Sequence, residues 1–193
     1  MPSPEPPPTR RLFFGFWPNE TLRADFAHAT RKAVRACGGR HVPVENLHAT
    51  VLFLGSVLES RIPELTSIAQ RAVAQVQALE LVFDQIKFWE KPRVLVAATS
   101  PASASGHAVA EALNGILRRE TTRAGLDSDG KPFHAHVTLA RKVGRVTHEL
   151  GMHPVAWRVS ELALIESRTD PEGSVYTVLE SFPLGASHPL RSL

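Results

Sequence analysis

The sequence predicts an α+β protein built from two similar halves. Three observations carry that prediction. The order strand, helix, strand occurs twice; each second strand opens on a His-x-Thr triplet; and the two repeats have nearly equal span. Leu12 to His48 covers 36 positions and Val94 to His136 covers 42. Such spacing fits an internal duplication about a pseudo-twofold axis, with each half supplying one His/Thr pair to a central cleft.

Taken in order, residues 1–10 hold five prolines and no apolar run, which predicts a disordered tail. Residues 12–17, LFFGFW, read as an aromatic-rich strand closed by Pro18 and Asn19. A helix over 21–36 follows, with Leu22, Phe26, Ala29, Ala33 and Ala36 on one stripe and Gly38-Gly39 as its stop. Asn19 reads as its N-cap region. A connection over 40–45 leads to the first His/Thr strand, NLHATVLFLG at 46–55. The next helix, 62–77, has Pro63 in its first turn and Leu65, Ile68, Ala69, Ala72, Val73 and Val76 at helical spacing. Residues 79–88 alternate until Asp84, where the parity slips, so a bulge or bend is expected there. A turn at 89–92 introduces the strand 93–98. A third helix, 105–122, would bury Val109, Ala112, Leu113, Ile116 and Leu117. After the turn-rich loop 126–132 comes the second His/Thr strand, FHAHVTLARK at 133–142. The chain closes with a hairpin of strands 155–167 and 175–182, and a tail at 186–193. The segment 11–185 reads as a single domain.

Composition narrows the class. A chain of 193 residues with 43% hydrophobic content is a globular protein, and its net charge of +3 is compatible with an anionic ligand. The single cysteine, Cys37, leaves no internal disulfide and reads as a small buried residue near a helix end. The N-terminus lacks a signal-peptide pattern and no apolar run approaches the ~18 residues that would span a bilayer, so a cytoplasmic location without membrane contact is expected.

The triplets carry the chemistry. In a strand, residues two apart share a face, so His48 points with Thr50 and His136 with Thr138. Ala49, Val51 and Phe53, like Ala135, Val137 and Leu139, then face the other way. A third triplet, His28-Ala29-Thr30, lies in a helical pattern, where residues two apart diverge by about 200° and cannot act together. Two imidazoles with ordinary pKa near 6.5 can be split at neutral pH into one base and one acid. Two hydroxyls can hold the non-bridging oxygens of a phosphate. Those parts suffice for attack of water on a strained cyclic phosphodiester.

NLHATVLFLG and FHAHVTLAR resemble the paired H-x-T motifs of the two-histidine (2H) phosphoesterases. More narrowly they resemble the RNA 2′,3′-cyclic phosphodiesterases, also called 2′–5′ RNA ligases, over nearly all of residues 11–184, including FWEKPRVLVAA. The resemblance implies a bilobal α+β fold, each lobe an antiparallel sheet backed by helices. It also implies opening of a terminal 2′,3′-cyclic phosphate to a 2′-phosphomonoester, with no metal or other cofactor, and a reverse reaction that forms a 2′–5′ linkage. By the same likeness His48 and His136 are the acid/base pair, and Thr50 and Thr138 bind phosphate. Arg141 closes the second motif and would also bind phosphate, although an odd offset from His136 puts it on the wrong face of a flat strand. His134 departs from the family, and its shared face with His136 would let it line the cleft. The implied partner is RNA with a 2′,3′-cyclic phosphate end, tRNA fragments among them, met by a monomer.

Other readings compete. The motif histidines could be satisfied core residues. His134 and His136 could begin a metal site, with Asp127 or Asp129 as distant ligands. The protein could be an RNA-end binding module with little turnover, or a phosphodiesterase for a small cyclic nucleotide. His28, His41, His107, His148, His153 and His188 read as surface or loop residues. Arg118, Arg119 and Arg123 read as a solvated helix face, while Lys131 and Lys142 flank the second motif and could track phosphates.

Overall fold

Five consecutive buried residues at the end of β1 (Thr9–Phe16) mark a strand covered on both faces. Leu12, Phe14 and Phe16 join the main core, while Phe13 packs on the opposite side with Ala163 and Ile165. In the computed structural model, which describes residues 7–130, 133–144, 150–170 and 173–185, this strand lies inside a four-stranded antiparallel sheet. Its order is β3 (Ala49–Leu58), β1, β8 (Glu161–Asp170), β9 (Gly173–Pro183). A second antiparallel sheet runs β2 (Arg40–His41), β6 (His136–Arg141), β5 (Val94–Thr99), β4 (Leu79–Trp89), β7 (Val155–Val159). The expected α+β architecture of two antiparallel sheets backed by helices is present.

The helices join the sheets into one core. α1 (Glu20–Ala36) packs on β6 and β7 of the second sheet, α2 (Ile62–Val73) on β8 and β9 of the first, and α3 (Ala104–Arg123) on α2, β3 and β4. Asn19 caps α1, its side-chain oxygen accepting from the Leu22 N–H at 2.9 Å. The buried stripe of α1 is Phe26, Thr30, Ala33 and then Cys37, not Ala36, which is exposed. α3 buries Leu113, Ile116 and Leu117 as expected, together with Gly106, Ala110, Asn114 and Thr121, while Val109 is half-buried and Ala112 is exposed. Gly106 marks the close approach of α3 to β4, since a Cβ there would lie 1.8 Å from the Glu80 carbonyl oxygen.

Two expectations need correction. The strand expected over 155–167 is two strands, because the chain leaves the second sheet after Val159 and enters the first at Glu161. The sequence marks the change: alternate burial at Val155, Trp157 and Val159 gives way to an unbroken buried run over residues 162–165, where β8 is covered on both faces. β1 also begins at Thr9, inside the stretch expected as a tail, and Arg10 ion-pairs with Glu59 and Glu166. The slip at Asp84 is a bulge, as expected. Lys131, His148, His188, most of the N-terminal tail and residues 186–193 lie outside the described residues. Among the described residues no helix is long and apolar enough to cross a membrane.

Candidate active site

Both His-x-Thr strands carry a bulge immediately after the threonine. In β3, Gly15 pairs with Thr50 and Phe14 with Leu52, leaving Val51 as the extra residue. In β6, Val96 pairs with Thr138 and Leu95 with Ala140, leaving Leu139 extra. A bulge resets the two-residue alternation. Arg141 therefore returns to the face of His136 and Thr138, which resolves its odd offset, and it lines a cavity with His48 and Thr138. By the same reset Phe53 leaves the helix face expected for it and turns to the cleft. Phe53 stands three residues after Thr50, as Arg141 stands three after Thr138, so the halves place an aromatic ring and a cation at matching positions.

The two cavities exchange partners across the pseudo-twofold. One of about 530 Å³ has His48, Thr138, Arg141 and Tyr176 in its wall. The other, about 300 Å³, has His136, Thr50, Phe53, Trp89, Phe133 and His134. Each thus joins the imidazole of one motif to the hydroxyl of the other. Among the described residues neither Thr50 nor Thr138 spends its hydroxyl on an internal hydrogen bond. His28 is exposed on α1, remote from both walls.

The rings are anchored alike. His48 Nδ1 lies 2.7 Å from the Asn46 carbonyl oxygen, and His136 Nδ1 lies 2.7 Å from that of His134. A carbonyl only accepts, so each Nδ1 carries the proton and donates it. Each Nε2 is left to take or give a proton at the cleft. Their surroundings differ. Phe13, Trp17 and Tyr176 surround His48 at ring-centroid distances of 5.0, 5.8 and 4.8 Å. His136 meets Trp89 at 4.5 Å. Burial pushes the His48 imidazole down to about 4; the Asn46 carbonyl opposes this, and the charges of Arg141 and His136 add to it. Burial likewise lowers His136, against its bond to the His134 carbonyl, with His134 and Arg141 adding to the fall. Both rings are therefore mainly neutral at pH 7 in the unliganded protein, unlike the even split expected from ordinary histidines. A bound phosphodiester anion opposes the fall at both.

Asn114 was not legible as a site residue. It is buried on α3, and its Nδ2 donates to the carbonyl of Val51, the bulged residue, at 2.7 Å. A lone amide inside an apolar helical stripe was the available signal. His107 is half-buried against Phe133 rather than free on the surface, and His41 pairs in β2 at the wall of the larger cavity. Lys142 is exposed at a turn with φ of 54°. Among the described residues no three His, Cys, Asp or Glu side chains cluster as metal donors.

Two antiparallel sheets, each presenting a bulged His-x-Thr strand to one cleft, define the class as an α+β protein with a pseudo-symmetric imidazole–hydroxyl centre. A family model described as the 2′-5′ RNA ligase superfamily matches residues 18–171, and the chain belongs to that superfamily. It is 33% identical over 190 residues to the RNA 2′,3′-cyclic phosphodiesterase of Thermus thermophilus, with 92% of each chain covered. It is 27% identical to the protein of the same name from Escherichia coli, covering 91% of this chain and 97% of that one. The crystal structure of E. coli LigT complexed with 3′-AMP superposes with a TM-score of 0.81 at 26% identity, covering 93% of this chain and 100% of that one.

Proposed function

We propose that the protein opens the 2′,3′-cyclic phosphate at an RNA end to a 2′-phosphomonoester, using His48 and His136 as base and acid. The supporting observation is the pair of rings, each with Nδ1 tied to the carbonyl two residues back and Nε2 left to the cleft. Water attacks phosphorus and loses a proton to one Nε2; the bond from phosphorus to O3′ breaks, and O3′ takes a proton from the other Nε2. The hydroxyls of Thr50 and Thr138 and the guanidinium of Arg141 hold the non-bridging oxygens as negative charge grows. His134, exposed beside His136, contacts the RNA from the smaller cavity. The hydrogen bonding of the rings is equivalent, so the orientation of the bound ester decides which takes the proton. With a 5′-hydroxyl end in place of water as the nucleophile, the same bond to O3′ breaks, O3′ takes the proton, and a 2′–5′ linkage forms. Relatives named RNA 2′,3′-cyclic phosphodiesterase support this choice of substrate.

The test is incubation of the purified protein, in excess EDTA, with a short RNA ending in a cyclic phosphate. The expected product keeps its phosphate on the 2′-hydroxyl. Loss of activity on chelation would make the chemistry metal-dependent, and binding without product would make the protein an RNA-end receptor. Turnover of free cyclic nucleotides alone would move the substrate to a small molecule.

A further inference from the structure

The larger cavity extends beyond His48 and Thr138 to β2, the two-residue edge strand of the second sheet. In its register Arg40 stands directly opposite Arg141. Residues so paired share a face, with Cβ atoms about 4.5–5.5 Å apart, and like charges in that relation destabilise the pair. Both arginines line the cavity, and among the described residues neither forms an ion pair. Arg40 also reaches the opposite sheet. A Cβ on Gly173, at the start of β9, would lie 2.7 Å from a terminal nitrogen of Arg40, so the glycine leaves room for the guanidinium.

His41 lines the same wall, and the acids there are Glu45 and Asp170. Glu45 lies close enough to Arg23 to favour that cation's charged state. Among the described residues the wall of the smaller cavity holds no such pair of arginines. Where the larger cavity has Arg141, the smaller has Phe53, with Trp89 and Phe133 beside it. One flank of the acid–base centre therefore holds two arginines and His41 beside two carboxylates, and the other is mainly aromatic. Two arginines held face to face beside a phosphate site are relieved by an anion between them.

We propose that Arg40, with Arg141 and His41, forms a second phosphate subsite that takes the phosphodiester adjoining the cyclic one. The preferred substrate class is then a terminal nucleotide phosphorylated on its own 5′-oxygen, as at the end of any RNA strand, rather than a nucleoside cyclic phosphate. This rests on the phosphodiesterase reading above.

The test compares adenosine 2′,3′-cyclic phosphate with its 5′-phosphorylated form as substrates, and adenosine 2′-monophosphate with adenosine 2′,5′-bisphosphate as equilibrium ligands. One charge-assisted contact predicts KM and Kd lower by about tenfold or more for the 5′-phosphorylated member of each pair. Arg40→Ala is expected to bring both ratios close to one while treating the 5′-hydroxyl compounds as wild type does. Arg40→Lys is expected to keep part of the preference, and added salt to erode it. No discrimination by the wild type, or an equal loss on both members in Arg40→Ala, overturns the subsite. If neither cyclic compound nor a cyclic-phosphate-ended RNA is hydrolysed, the phosphodiesterase reading fails, and the affinity ratio alone still decides the subsite.

Discussion

His48 is enclosed by three aromatic rings and shares its cleft with a guanidinium and a second imidazole. Its pKa near 4 and the lowered His136 place the free protein's proton-active range on the acid side of neutrality. The profile of kcat/KM reports the free protein, so its maximum is expected between about 4 and 6.5. The kcat profile reports the complex, where the phosphate's charge raises both rings, and is expected to sit at higher pH. A flat profile from pH 5 to 9 would contradict the acid/base pair. In the proposed mechanism the threonines hold charge without moving protons, so Thr50→Ala or Thr138→Ala is expected to cost about tenfold to a hundredfold in kcat. Steady-state kinetics on a cyclic-phosphate-ended RNA measures this. The triplets were legible because strand geometry alone puts His and Thr on one face. The aromatic enclosure was not, because Phe13, Trp17 and Tyr176 come from β1, the residue after it, and β9, which only the sheet order brings together.

At the scale of elements, the bulges decide what faces the cleft. Strict alternation over β6 would put Arg141 with Val137, and over β3 would put Phe53 with Val51. One extra residue just after each threonine, Leu139 or Val51, reverses both. Bulges are hard to read where neighbouring residues are all apolar, as over residues 51–54, because no change of polarity marks the slip. At Asp84 a charged residue does mark it, and there the sequence reading and the structure agree. Asn114 fastens the first bulge from outside the sheet through the Val51 carbonyl. Asn114→Leu leaves that buried carbonyl unpaired, with an expected cost of about 1–3 kcal/mol in stability. The same change lets Thr50 shift, and small displacements at a reacting centre are costly, so turnover is expected to fall by about tenfold to a hundredfold. Denaturant midpoints and kcat measured on one preparation check both parts; an unaltered kcat would separate Asn114 from the site.

Across the whole molecule, the sequence halves and the sheets do not coincide. The first sheet takes β1 and β3 from the start of the chain and β8 and β9 from its end, while β2 crosses to the second. The duplication was visible in spacing, but this exchange was not, since pairing between distant strands leaves no local mark beyond the change of burial pattern at residue 160. A single core spanning both sheets makes the cleft's geometry a property of global folding. His48 links the site to stability as well. Its folded pKa lies below the unfolded value near 6.5, so the unfolded chain binds more protons between those values. The stabilisation is complete above about pH 6.5 and is lost as pH falls through about 4, by up to about 3 kcal/mol at 1.36 kcal/mol per unit. Urea titrations at pH 7 and pH 4 are expected to show a larger acid loss for wild type than for His48→Gln. Equal losses would place the ring in an ordinary solvated setting.

The claim on which the rest depends is that the two imidazoles work as a pair on one phosphate. Rates for His48→Ala, His136→Ala and the double variant on the same cyclic-phosphate-ended RNA test it most directly. Groups that act as a unit are not additive, so each single change is expected to lower turnover by roughly 10²–10⁴, and the double change by little more than the worse single. Losses that multiply, or one single variant with turnover intact, would contradict it.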